Sequence, residues 1–109
     1  MTLKEMMAGD VADLFFMLED FGEEHKVEGT TIQCVPDADA LQSLKTTTLG
    51  LAEATLLIYA RVADLPKRKA PGSFINYDGR EMLVVDWSEN TGVAAIALKQ
   101  NATRYGETP

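Results

Sequence analysis

Asp78-Gly79 stands between two stretches, 73–77 and 80–85, and no other dipeptide in the chain constrains its fold as tightly. The two-residue hairpin turn that Asp-Gly favours needs positive φ at both central positions; Asp tolerates that geometry and Gly has no side chain to oppose it. The pair therefore predicts an antiparallel hairpin with Phe74 opposite Leu83 and Ile75 opposite Met82. A chain committed to one such hairpin must cover the hairpin's apolar face, so further strands are to be looked for on either side.

Two-residue periodicity recurs in both directions. In 25–35, Gly29-Thr30 sits where a turn with Gly first would sit. That placement puts Val27 opposite Ile32 and His25 opposite Cys34 on one face, with Lys26, Glu28, Thr31 and Gln33 on the other. The stretch 53–62 carries Leu56, Ile58, Ala60 and Val62 on one face and Thr55, Leu57, Tyr59 and Arg61 on the other, so both faces are expected to be at least partly covered. Residues 87–92 read as a turn leading into a last strand over 93–99, where Ile96 and Leu98 alternate with Ala95 and Ala97.

Ahead of Gly22 the apolar period is helical. Leu3, Met7, Val11, Leu14, Leu18 and Phe21 follow one another at steps of three or four, which places them on one stripe of a helix over about 3–21, and Gly22 supplies its stop. Phe15, Phe16 and Met17 widen the apolar face beyond what a one-sided contact needs, and that surplus suits either core or a partner surface. The segment 36–50 has poor periodicity and reads as a long connection with a helical turn around 40–44. Residues 65–72 form a break with Pro66, Pro71 and three adjacent cations, Lys67, Arg68 and Lys69.

These elements add up to an α+β chain that is mainly β: an N-terminal helix followed by an antiparallel β-sandwich or a barrel-like meander of about six strands. With 109 residues, one core is the expectation. The domain is placed at 1–100, with hairpins over about 25–99 and a polar, loose tail at 101–109. A hydrophobic content of 46% is ordinary for a globular chain and gives that core enough material.

Charge narrows the partners. The formal net charge is −7, which disfavours wrapping around nucleic acid or lying on an anionic membrane, since both rely on Lys and Arg. Most of the excess lies early: Glu5, Asp10, Asp13, Glu19, Asp20, Glu23 and Glu24 face Lys4 alone. The N-terminal segment lacks a basic leader with a continuous apolar run, so neither a signal peptide nor a membrane span is expected and synthesis in the cytoplasm is. The lone Cys34 agrees with a reducing compartment, and the sequon Asn101-Ala102-Thr103 is then a chance match.

No residues assemble into a recognisable catalytic motif. His25 beside Cys34 is the one arrangement in which an imidazole and a thiol are expected to touch, yet both share a face with Val27 and Ile32, and core packing is the weightier reading. One His and one Cys are too few ligands for a metal site, and Asp37-x-Asp39 lacks the further oxygens of a calcium loop. Neither cofactor nor metal is expected. The cations Lys67, Arg68 and Lys69 suit a solvated loop tip or a contact with an acidic partner.

The order of elements, together with Phe21-Gly22-Glu23-Glu24-His25-Lys26-Val27-Glu28-Gly29 and Asp78-Gly79-Arg80-Glu81-Met82-Leu83-Val84-Val85-Asp86-Trp87-Ser88-Glu89-Asn90-Thr91-Gly92-Val93, resembles the small head-tail connector proteins of long-tailed phages and prophages, the lambda-type attachment protein among them. The resemblance covers roughly 15–100 in element order. It implies a structural virion protein without enzyme activity: a neck subunit, made in the bacterial cytoplasm, that assembles as a homo-oligomeric ring. The ring would join a portal or adaptor protein on the head side to tail proteins, and double-stranded DNA would pass through it without sequence-specific binding. The expected contact residues are Phe15, Phe16, Met17, Lys67, Arg68 and Lys69. A hairpin-rich interaction module of a host is the first rival reading, and a Cys34-dependent enzyme the second.

Overall fold

The computed structural model describes residues 18–39, 41–42 and 54–100. Six strands make up most of them: β1 Glu23–Val27, β2 Thr30–Pro36, β3 Leu56–Arg61, β4 Phe74–Tyr77, β5 Arg80–Asn90 and β6 Val93–Gln100, with a 3-10 turn at Val62–Asp64. All neighbours are antiparallel, and the strands close into a barrel in the order β1-β2-β3-β6-β5-β4. Of the two expected arrangements the barrel is the one that forms, but it is not a plain meander. β3 lies beside β6, and the chain crosses from β3 to β4 over the segment that holds the two prolines.

The burial of β6 explains that order. Val93, Ala94, Ala95, Ile96, Ala97 and Leu98 are all buried, so the strand is apolar on both faces and is stable only between two neighbours with cover on each side. Ala94, Ile96 and Leu98 join the barrel interior with Val27, Ile32, Cys34, Ile58, Ala60, Ile75, Tyr77, Met82, Val84 and Trp87. Val93, Ala95 and Ala97 face outward and form a second cluster with Val35, Leu57 and Tyr59, covered by Leu18, Leu41 and Ala54. The small outer side chains of β6 let that cover approach closely. Each fully buried Leu or Ile contributes roughly 1.5–3 kcal/mol, so the outer cluster is a substantial part of the fold.

Three hairpin turns share one geometry, with positive φ at both central residues: Glu28-Gly29, Asp78-Gly79 and Thr91-Gly92. The Asp78-Gly79 hairpin has the expected register, Phe74 with Leu83 and Ile75 with Met82. The first hairpin turns one residue earlier than expected: Glu28 and Gly29 form the turn, at φ 53° and 84°, and Thr30 is already in the strand opposite Val27. His25 therefore pairs with Ile32, and Cys34 with Glu23. Moving a turn by one residue shifts each facing partner by two, so the predicted faces survive while the predicted partners do not.

The expected turn over 87–92 is a second correction. β5 continues to Asn90, and the turn is Thr91-Gly92 alone. A β-bulge makes this possible: Val84 pairs with Leu98 but Asp86 pairs with Ala97, which leaves Val85 extra. Without the bulge, strict alternation from Met82 and Val84 would carry Asp86 into the apolar interior. With it, Trp87 faces Ile96 inside the barrel, and Asp86 stays outside and accepts a hydrogen bond at Oδ1 from the Trp87 N–H at 2.9 Å.

Of the expected helix, residues 18–21 are helical, and Leu3, Met7, Val11 and Leu14 lie outside the described residues. Leu18 is fully buried, but Phe21 is 71% exposed, contrary to its place on the apolar stripe. The chain leaves the helix at Gly22, which packs so closely on the Leu18 carbonyl oxygen that a Cβ there would collide with it. The helical turn expected around 40–44 begins earlier, with the Leu41 N–H donating to the Asp37 carbonyl at 3.2 Å. The tail 101–109 and most of the 36–50 connection lie outside the described residues.

Candidate functional site

The basic segment lies on the crossing between β3 and β4, anchored at both ends. Val62 and Leu65 pack against the interior cluster, and past the cations the Gly72 N–H donates to the Val84 carbonyl at 2.8 Å. Lys67 and Arg68 project as exposed side chains. Lys69 is half-buried, and its Nζ lies 3.7 Å from Glu28 Oε1, which ties it to the first hairpin turn. Three adjacent cations thus divide into an exposed pair and one inward-facing anchor. Phe15, Phe16 and Met17, the other expected contact residues, lie outside the described residues. Phe74 on β4 is a large apolar side chain, 53% exposed, that the sequence pattern had marked only as half of a strand pair.

His25 and Cys34 do not form the expected couple. Cys34 is buried in the barrel, and its thiol shares a hydrogen bond with the Tyr77 hydroxyl. Burial pushes the thiol up to about 11, outweighing the opposing pull of that bond, so it is protonated at neutral pH and a poor nucleophile. Tyr77 is also raised, first by burial and then by the neighbouring Cys34, Asp78 and Glu23.

The imidazole of His25 is engaged elsewhere. It stacks on the Tyr77 ring, with centroids 5.1 Å apart and planes 24° from parallel. Nδ1 lies 2.6 Å from Asp78 Oδ2, and Nε2 lies 3.0 Å from Glu23 Oε1. The sequence reading missed this cluster, although alternation held the signal for half of it, since Glu23 and His25 are two residues apart on β1 and share a face. Asp78 comes from the other hairpin, and only closure of the barrel brings it to His25.

Asp37 and Asp39 sit where β2 passes into the helical turn, and Asp37 is used through its backbone, its N–H donating to the Leu57 carbonyl at 2.9 Å. Among the described residues, no group of three or more His, Cys, Asp or Glu side chains gathers in a way that could hold a metal ion. Nor, among them, is any helix long and apolar enough to cross a membrane. No protein-family model, curated protein or solved structure matches this chain.

Proposed function

We propose that this chain is a structural subunit of a tailed-phage or prophage neck, assembling as a ring between portal and tail around the DNA exit channel. The observation that carries the reading is the exposed Lys67-Arg68 pair, held on an anchored crossing of a chain whose net charge is −7. A ring made by head-to-tail contact needs two different, complementary patches on each subunit. A small cationic knob on an acidic body supplies one of them, and the acidic surface of the next copy supplies the other.

Two further features support it. The segments that resemble head-tail connectors fold as units here, one forming β1 and its turn, the other the stretch from the Asp78-Gly79 turn through β5 to the start of β6. An acidic ring also suits a DNA conduit, because a negative wall repels phosphates and keeps the duplex from sticking as it passes. Subunit contacts that are weak one at a time become strong when several copies are held side by side on a platform, so a monomer in free solution agrees with this role.

The test is charge reversal of the exposed pair. Lys67→Glu with Arg68→Glu leaves the Lys69–Glu28 contact in place, so the barrel is expected to keep its circular dichroism spectrum and melting temperature. Particles made with this variant are expected to accumulate as filled heads and free tails when counted by electron microscopy. Joining that proceeds at the wild-type level, with the same dependence on ionic strength, would sink the proposal.

A further inference from the structure

The barrel wall is thinnest where it closes. β3 and β6 run paired from Leu56–Leu98 to Arg61–Val93, whereas β1 meets β4 through Val27 and Tyr77 alone. Beyond that pair the seam is stitched by turn residues. The Glu28 N–H donates to the Asn76 carbonyl at 2.9 Å and the Asp78 N–H to the Lys26 carbonyl at 2.7 Å. Two carboxylates reinforce it, Asp78 Oδ1 accepting from the Lys26 N–H at 2.9 Å and Glu28 Oε2 from the Asn76 N–H at 2.6 Å. Asp78 thus holds β1 with one oxygen and His25 with the other.

The geometry around His25 selects its protonation state. A neutral imidazole carries one N–H and can donate to one acceptor, but here both ring nitrogens lie within hydrogen-bond distance of carboxylate oxygens. Only the imidazolium satisfies both. We propose that His25 is a pH-operated latch on the β1–β4 seam: protonated, it clasps Asp78 and holds the barrel shut; deprotonated, it loosens Asp78 and lets the seam open locally.

The groups facing the ring come from every strand around it. β1 contributes Glu23, and β4 with its turn contributes Tyr77 and Asp78. β5 contributes Arg80, whose charge acts on Asp78, and β2 contributes Ile32 opposite His25 together with the neutral thiol of Cys34. Burial by itself lowers the basicity of His25, but hydrogen bonds and charge from Asp78 and Glu23 outweigh it and raise the imidazole above 6.5. Burial likewise pushes Asp78 up, and the bonds from His25 and the Lys26 N–H overcome it and bring the carboxyl below 3.8.

The signs follow by linkage. A raised His contributes stability that is complete below its unfolded value near 6.5 and disappears as pH rises through its folded value. A lowered Asp contributes stability that is present above its unfolded value near 3.8 and disappears as pH falls through its folded value. The latch is therefore engaged between the two folded values and releases on the alkaline side. It is a property of the folded chain and stands or falls separately from the ring.

Amide hydrogen exchange read by NMR tests it, using protection factors so that the intrinsic pH dependence of exchange divides out. In the wild-type chain, the Glu28 and Asp78 amides are expected to lose about fivefold or more of their protection as pH rises through the His25 midpoint, while β3 and β6 amides hold theirs; one unit of pKa shift corresponds to about a tenfold change in equilibrium. Glu23→Gln, which leaves the seam backbone untouched, is expected to lower the His25 midpoint and move the step with it. His25→Gln is expected to give low seam protection with no step. A flat wild-type profile, a His25 midpoint at or below 6.5, or a step that persists in His25→Gln overturns the latch.

Discussion

At φ 50°, Thr91 holds a backbone conformation that a β-branched side chain resists, and its hydroxyl has little to offset the strain beyond an exposed hydrogen bond to Asn90 Oδ1 at 3.0 Å. Asn at the first turn position adopts positive φ readily, so Thr91→Asn is expected to raise stability by about 0.5–1 kcal/mol in urea unfolding. Cys34 gives the opposite kind of residue, one whose chemistry the fold suppresses. With its thiol pushed up to about 11 by burial, alkylation by iodoacetamide near neutral pH is expected to be slow in the native chain and to rise in step with unfolding as urea is added. Rapid labelling of the folded chain would contradict both its burial and its bond to Tyr77. Alternation alone placed Cys34 on an apolar face with His25. That His25 leaves the thiol to Tyr77 and turns to two carboxylates was not legible, because Asp78 is distant in sequence and its approach depends on barrel closure.

Among the elements, β5 departs most from a reading by pattern. The pattern broke at Asp86, and a break in alternation reads equally as the end of a strand or as a bulge within one. The bulge is the structural answer, and it decides which of Asp86 and Trp87 enters the core. Deleting Val85 removes the extra residue and restores strict alternation with Val84 opposite Leu98 and Asp86 opposite Ala97, so Asp86 stays outside and Trp87 inside. The deletion is therefore expected to cost less than the about 3–5 kcal/mol that follows when a large aromatic is lost from a core. Thermal melting followed by the fluorescence of Trp87, the chain's single tryptophan, checks it, and a loss in that range with the Trp87 emission shifted to that of an exposed ring would overturn it. The first hairpin shows a milder ambiguity. A Gly flanked by Glu and Thr permits two turn placements that bury the same face, and in the folded chain Gly29 takes the second turn position with Thr30 paired to Val27.

For the molecule as a whole, the notable feature is that one chain supports two apolar clusters back to back on the shared strands β3 and β6. A barrel that needed only its interior would present polar residues outward on those strands; here Leu57, Tyr59, Val93, Ala95 and Ala97 face outward and are covered. Among the described residues, the exposed cationic pair, Phe21 and Phe74 are then available for contact with other molecules, which is the scale at which the Lys67 and Arg68 reversal is informative. If that variant joins heads to tails normally, the acidic surface has some other use.

Local chemistry in the sequence was enough to specify the mainly β character, the Asp78-Gly79 hairpin with its register, the faces of β1 to β3, the cover on both sides of β3 and the helix stop at Gly22. Those properties depend on φ preferences and two-residue alternation, which act within a few residues. Tertiary structure alone decided the pairing of β3 with β6, the closure of β1 on β4, the bulge at Val85 and the meeting of His25 with Asp78. Each of these joins residues far apart in the chain, where many pairings satisfy the same local pattern and only the packing of the whole barrel distinguishes them.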